Sequence, residues 1–289
     1  MFLLILYSSL SKKKYQIATK GMIKKLTYSQ NWQETWKYSY PYDLLEVYGD
    51  NNLTGYAHAY ANRRKHTLEL IQKIAKPGAK VLDVAAAQGN FTLYLAELGY
   101  EVTWNDLREE LIDYVKLKWE YGIVNYAPGN IFDLDFDSQF DIVLIAEVIE
   151  HVAHPDDFLR KIAQMLKPGG HIVISTPNGE YFKNQLPRFS DCTDPSLYEE
   201  VQFKPNSDGH IFLIHLDELE QLTHKAGLVV QDIRLITNSL TNGHIKLHYL
   251  LKILPEAWVT TCEKLTSSMP LAIKRKLHTT TVALLTHAS

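Results

Sequence analysis

The 289-residue chain predicts an α/β fold: a seven-stranded, mostly parallel sheet with helices on both faces. From residue 80 onward, short β-branched apolar runs alternate with helical patterns, the signature of strand-helix-strand units. Each run is followed by Gly, Asn, Asp or Pro, the residues that close such units. The composition, 46% hydrophobic and 22% charged with 14 Gly and 11 Pro, suits one large buried core and excludes disordered, collagenous and disulfide-scaffold classes.

In chain order, strands are expected at 80–84, 101–104, 124–127, 140–145 and 170–175. Helices fit 91–98, with Asn90 as its cap, and 108–120. A third fits 156–166, where Phe158, Leu159, Ile162 and Leu166 share one face and the Lys167-Pro168-Gly169-Gly170 turn stops the helix. A helix at 216–226 with Gly227 as C-cap follows, then strands at 229–236 and 279–286. Ordinary connections have a median of ~4–6 residues, so 177–215 and 237–278 are expected to be inserted lids over a substrate. A third cover is expected at 28–48, which holds Tyr28, Trp32, Trp36, Tyr38, Tyr40, Tyr42 and Tyr48. The division is thus a flexible basic extension at 1–26 and one domain at 27–289, with Met22 a plausible alternative start.

Net charge is −3, yet 1–26 carries six Lys and no acid and 252–289 a further net three positive charges, leaving −12 on the body between. An acidic body argues against a nucleic-acid groove, which needs a basic stripe to neutralise phosphates. The apolar run at 2–7 is far shorter than the ~18–20 residues of a transmembrane helix, and Lys12, Lys13 and Lys14 follow it rather than precede it as in a signal peptide. Cys192 and Cys262 have neither a CxxC partner nor metal-ligand spacing, which suggests a reducing compartment, by default the cytoplasm.

The first strand runs into Asp83-Val84-Ala85-Ala86-Ala87-Gln88-Gly89-Asn90, a small-residue turn where open α/β sheets bind ligands. Small side chains let a ligand approach the backbone, and an acid at the strand end accepts hydrogen bonds from an ammonium or hydroxyl. The second strand ends at Asp106, followed by Leu107, at the distance expected of a carboxylate that grips two ribose hydroxyls. A dinucleotide fingerprint would need three glycines spaced GxGxxG, and this loop offers only Gly89.

With these motifs the chain resembles the class I S-adenosylmethionine-dependent methyltransferases, including their ubiquinone-biosynthesis O-methyltransferases, over about 55–236 and the last strand. The resemblance implies a Rossmann-like fold and S-adenosylmethionine as cofactor. It implies a pocket made by Asp83, Ala85, Gly89, Asp106, Leu107, the Gly129-Asn130-Ile131 turn and Glu147. Ala85 and Ala87 stand where the family has glycines, which keeps the turn small but removes tolerance of positive φ.

After the fourth strand comes Ala146-Glu147-Val148-Ile149-Glu150-His151-Val152. One helical turn would gather Glu147, Glu150 and His151 on a single face at the mouth of the sheet. His151 could then accept the proton of a substrate hydroxyl. Alternatively, Glu147, Glu150 and His151, joined by His210, could hold Mg or Mn, as the resemblance to small-RNA 2′-O-methyltransferases implies. The blander alternatives are that Glu147 and His151 only shape the pocket, that Glu150 caps or pairs on the surface, and that His210 and His215 are polar edge residues.

The aromatic covers suit an apolar or sugar-like acceptor, so O-methylation of a small molecule (a natural product, sugar or quinone-like hydroxyl) is the expectation. A metal-assisted RNA 2′-O-methyltransferase and a nonenzymatic cofactor-binding scaffold are the alternatives. Leu247, Leu250, Leu251, Ile253, Leu254 and Trp258, near Lys274, Arg275 and Lys276, form either a helical cap or a lipid-facing patch.

Overall fold

The computed structural model describes residues 23–49, 55–200, 202, 209–242 and 254–288. Its strands are β1 (Lys80–Val84), β2 (Glu101–Trp104), β3 (Ile123–Tyr126), β4 (Phe140–Ala146), β5 (Leu166–Pro177), β6 (Leu228–Asn238) and β7 (His278–His287). The helices are α1 (Glu34–Glu46), α2 (Gly55–Ile74), α3 (Asn90–Glu97), α4 (Leu111–Lys118), α5 (Pro155–Gln164), α6 (Leu216–Lys225), α7 (Glu256–Ser267) and α8 (Leu271–Leu277). The seven strands form one sheet in the order β3-β2-β1-β4-β5-β7-β6. Only β7 is antiparallel to its neighbours. The fold class is the one the sequence predicts, with every predicted strand in place.

Successive strand residues point to opposite faces, so two cores form. On one face Leu82, Val143, Ile145 and Ile172 pack with Phe158, Leu159 and Ile162 of α5. On the other Val81, Ile142, Leu144 and Val173 pack with Ile71 of α2 and Leu93 and Leu95 of α3. Strand order reverses between β1 and β4, and the crevice outside the carboxyl ends of these strands is where such sheets bind ligands.

Several boundaries differ from expectation for identifiable reasons. Asn90 is the first residue of α3 and Gly89, at φ 73°, is its cap. A Cβ on Gly89 would lie 2.8 Å from Val115 Cγ2, so only glycine fits that approach. Helix α4 starts at Leu111 rather than 108, because Arg108 folds back onto Asp106. Leu166 and the Lys167–Gly170 segment belong to β5, with a register shift between Phe140 and Ile142 on the facing strand. Gly227, at φ 72°, directly follows Ala226, which caps α6.

Residues 1–22 of the expected extension lie outside the described residues, but Ile23 and Leu26 are buried, so the packed chain reaches at least to residue 23. The aromatic cover is α1 and its approach: Trp32 meets Tyr114 edge-to-face at 5.9 Å and Trp36 lies tilted against it at 5.6 Å between ring centroids. In the 177–215 insertion the described residues form 3₁₀ turns at Phe189–Asp191 and Pro195–Tyr198. The 237–278 insertion contributes α7 and α8, and Leu247, Leu250, Leu251 and Ile253 lie outside the described residues.

Helix α1 is fastened by a charge pair sealed from solvent. Lys118 and Asp43 are both 0% exposed. The Lys118 ammonium donates to Asp43 Oδ1 and Oδ2 at 3.0 and 2.9 Å and to Asn90 Oδ1 at 2.7 Å, and the Tyr114 hydroxyl donates to Asp43 at 2.7 Å. Burial pulls the Lys118 pKa down while Asp43 opposes it. Breaking one side of such a pair leaves an uncompensated buried charge, at a cost of about 3–5 kcal/mol. Lys118→Met is therefore expected to lower stability by about that amount in urea unfolding. Adding Asp43→Asn to the same chain should restore part of the loss.

Candidate active site

The β1–α3 loop is built from backbone approach. Ala86 N–H donates to Asn105 O at 2.8 Å and Gly89 N–H to Ala86 O at 2.8 Å. Contrary to the expectation from their type, Ala85 and Ala87 adopt positive φ, 52° and 49°. Each alanine there costs roughly 1–2 kcal/mol, tolerated because the surrounding hydrogen bonds over-determine the loop. Asp83, at the end of β1, is buried and accepts from the Thr92 hydroxyl at 2.6 Å. Burial pushes its carboxyl up to about 7, against that hydrogen bond.

Asp106 lies at the end of β2 with both oxygens engaged. Oδ2 accepts from Ala87 N–H at 2.9 Å and from Arg108 Nη2 at 3.0 Å, while Oδ1 accepts from Arg108 N–H at 3.0 Å and Nε at 2.8 Å. Leu107 beside it is exposed. The β3 exit is tied to this point, since Gly129 N–H donates to Asp106 O at 2.9 Å. Asn130 caps the following 3₁₀ turn by accepting from Phe132 N–H at 3.2 Å, and Ile131 is buried. Asp83, Ala85, Gly89, Asp106, Leu107, Asn130 and Ile131 are therefore gathered at one edge of the sheet.

A cleft of about 260 Å³ opens there, lined by Asp83, Ala85 to Ala87 and Arg108 below and by Tyr42 and Glu46 of α1 above. Sequence reasoning missed its upper half. The Glu46 carboxylate accepts from Tyr56 at 2.6 Å, Gln88 at 3.1 Å and Asn90 at 2.8 Å, and burial pushes its pKa up. Arg63 of α2 lines the same cleft and pairs with Glu147 Oε2 at 3.0 Å. No local signal marks Arg63 or Glu46, because each reaches the cleft through long-range packing of α1 and α2.

Glu147 parts company with the residues it was grouped with. At φ 57° it precedes the 3₁₀ turn Ile149–His151 instead of joining it, so the single helical face expected for Glu147, Glu150 and His151 does not form. Its side chain accepts from Ser175 at 3.0 Å as well as from Arg63. Glu150, His151 and His210 do converge: their ligand atoms lie within 4.8 Å of one another. Glu150 is 0% exposed and accepts from the Thr176 hydroxyl at 2.9 Å on Oε2. Its Oε1 has no hydrogen-bond partner and faces His151 Nε2 at 4.0 Å and His210 Nε2 at 3.9 Å. Burial, helped by the charge of Glu147, raises the Glu150 carboxyl well above the ordinary carboxylate range. His215 is elsewhere, at the N-terminus of α6 in a capping box with Glu218.

The strand order and the loop geometry define a Rossmann-like methyltransferase fold. A family model described as a methyltransferase domain matches residues 56–233, and the chain belongs to that family, the S-adenosylmethionine-dependent methyltransferases. Among similar proteins is the ubiquinone biosynthesis O-methyltransferase of Coxiella burnetii, 33% identical over 56% of this chain and 68% of that one. The corresponding Xanthomonas campestris enzyme is 38% identical over 43% of this chain and 60% of its own length. A ubiquinone/menaquinone biosynthesis C-methyltransferase of Shewanella frigidimarina is 29% identical over 64% of this chain and 78% of that one. The S-adenosylmethionine-dependent methyltransferase of Mesorhizobium loti shares the fold at a TM-score of 0.52 and 15% identity, over 76% of this chain and 95% of that one.

The chain is thus an S-adenosylmethionine-dependent methyltransferase. Among the described residues, no helix is long and apolar enough to cross a membrane. Gly89→Ala should force both a positive-φ penalty and a collision with Val115, lowering the thermal midpoint and weakening S-adenosylhomocysteine binding in calorimetry.

Proposed function

We propose that this methyltransferase transfers the methyl group of S-adenosylmethionine to a hydroxyl of a small molecule, a natural product, sugar or quinone-like acceptor, with His151 as general base. The observation that carries it is the position of His151 in the turn that follows β4, with its Nε2 4.0 Å from the buried carboxyl of Glu150. Bound S-adenosylmethionine supplies an electrophilic methyl on a sulfonium. A neutral hydroxyl must lose its proton as the methyl arrives, and an imidazole takes it near neutral pH. Behind it the Glu150 carboxyl lies 4.0 Å from Nε2, too far for a direct hydrogen bond, and burial favours its neutral form, so it bounds the imidazole without supplying a fixed counter-charge. The names of the Coxiella and Shewanella relatives, an O- and a C-methyltransferase of quinone biosynthesis, support a small ring-bearing acceptor.

The groups in and beside the cleft suit the cofactor: Asp83 and Arg63 line it, and Asp106 lies next to it, bonded to Ala87 of its floor. Asp106 is suited to accept from ribose hydroxyls, Asp83 to face an ammonium, and the Arg63 guanidinium to meet a carboxylate. Asn130, Ile131 and Leu107 would border the base. Four hydrogen bonds already fill the acceptor positions of Asp106, so a diol engages it as the Arg108 fork turns outward, which its 42% exposed side chain permits.

A second reading rests on the orphaned oxygen of Glu150. Glu150, His151 and His210 would hold a divalent ion, Mn rather than Mg given two imidazoles, that polarises the acceptor hydroxyl. Glu150 would release its proton on binding it. Glu147, held by Arg63 and Ser175, does not converge on that set. An RNA acceptor is disfavoured by the acidic body. Cys192 and Cys262 are both free, which supports a reducing, cytoplasmic setting.

Labelled methyl transfer to catechol-type acceptors, with EDTA and with added Mn²⁺, tests these readings. His151→Gln is expected to lower kcat by about 10²–10⁴-fold. Activity that survives EDTA supports the base, whereas activity restored only by Mn²⁺ supports the ion. In calorimetry, Asp106→Ala should abolish S-adenosylhomocysteine binding. Asp83 gains its charge as pH rises through about 7, so affinity for this ammonium-bearing ligand should strengthen from pH 5.5 to 8 and lose that dependence in Asp83→Asn.

A further inference from the structure

Helix α7 leaves its largest apolar side chains outside. Its inward face mixes buried Val259 with polar groups: Glu263 reaches His58 at 3.4 Å, Asn238 N–H at 3.3 Å and the Thr241 hydroxyl, and Thr266 is buried against Asn238 at 3.1 Å. Its outward stripe carries Trp258, 68% exposed, and Leu265, 64% exposed, seven residues and two turns apart. Met269, Leu271 and Ile273 extend the exposed apolar surface through α8, at 37, 49 and 50%. Phe182, 54% exposed, adjoins it through its backbone hydrogen bond to Lys276 O at 3.1 Å. A helix facing water alone would place these groups the other way round.

The charges around this stripe are mostly positive: against four cations stand Glu180, which pairs with Arg275, and Glu256 at the start of α7. Lys264, Lys274 and Lys276 border it without an ion-pair partner among the described residues, and Arg275 is 3.6 Å from Glu180. On α7 itself, Glu263 is turned inward to His58. The body between residues 27 and 251 carries −12, so the molecule is polarised, with a cationic, apolar face on an acidic protein. A second copy meeting this face would set lysines against lysines, which is costly. An anionic surface that also accepts Trp and Leu meets both demands, with lysine stems lying along the apolar boundary and ammoniums reaching the headgroups.

We propose that the α7–α8 face docks on an anionic lipid bilayer. Strand β6 ends at Asn238 and β7 begins at His278, beside the carboxyl end of β5, so docking would turn the rim that bears the catalytic cleft toward the lipid. An acceptor dissolved in the bilayer could then reach the cleft without crossing bulk water. The docking itself does not depend on the identity of that acceptor.

The test is co-sedimentation of the full chain with vesicles of phosphatidylcholine alone or mixed with phosphatidylglycerol, at low and high salt. Wild type is expected to partition onto the mixed vesicles, less at high salt. Trp258→Ser with Leu265→Ser should lower that partition about tenfold or more. Replacing Lys264, Lys274 and Lys276 by Gln should weaken it by about fivefold per lysine on anionic vesicles. Unchanged thermal midpoints and unchanged S-adenosylhomocysteine affinity would establish that the variants are folded. Wild-type partition in all variants would assign binding to the basic residues of 1–26 and overturn the proposal. Absence of partition would overturn it, as would a wild-type dimer, seen by sedimentation, that Trp258→Ser with Leu265→Ser dissociates.

Discussion

One ammonium group with no access to water holds the functional half of this molecule together. Lys118 meets Asp43 on α1, Asn90 at the start of α3 and, through its backbone carbonyl, Lys24 N–H at 3.1 Å. A buried charge tolerates few geometries, since any loss of a partner leaves it unsolvated. The pair therefore fixes where α1 can lie on the sheet, and α1 supplies the upper wall of the cleft. From Asn90 the polar chain continues through Glu46 to Tyr56, joining the α1 cover to α2. Position is set by charge satisfaction here, with the edge and tilted ring contacts of Trp32 and Trp36 on Tyr114 adding area around it.

The two ends of the site obey different electrostatic rules. Around Asp106, hydrogen bonds and an arginine fork saturate a carboxylate, which is the condition of a group ready to exchange partners. Around Glu150, burial without a partner on one oxygen creates a group that either keeps a proton or finds a cation. Arg63 links the two: it lines the candidate cleft and also pairs with Glu147, so Glu147 and Glu150 of the post-β4 segment meet different partners.

Much of this was legible in the sequence and some was not, for physical reasons. Strand-end acids such as Asp83 and Asp106 are visible because a parallel strand must stop where its loop begins, and period and turn residues mark that point. The spacing of Glu147, Glu150 and His151 was misleading because it assumes a helical turn, whereas the chain spends Glu147 in a left-handed conformation and starts its turn at Ile149. Ala85 and Ala87 show the same limit from the other side: intrinsic preference argued against positive φ, and tertiary hydrogen bonding imposed it. Glu46, Arg63 and Arg108 were not singled out, since nothing local distinguishes a helix-surface arginine from one that the packing of α1 and α2 turns into a cavity.

The β6–β7 connection has a further consequence. Asn238 and His278 are register partners, so the segment between them leaves and re-enters the sheet at one place. The entropy of closing such a loop grows only with the logarithm of its length, and the strands that anchor it are paired whatever lies between. The segment is thus an exchangeable cassette: it can be lengthened, shortened or replaced in evolution, changing what the enzyme meets, while the candidate cleft at the ends of β1 and β2 keeps its geometry.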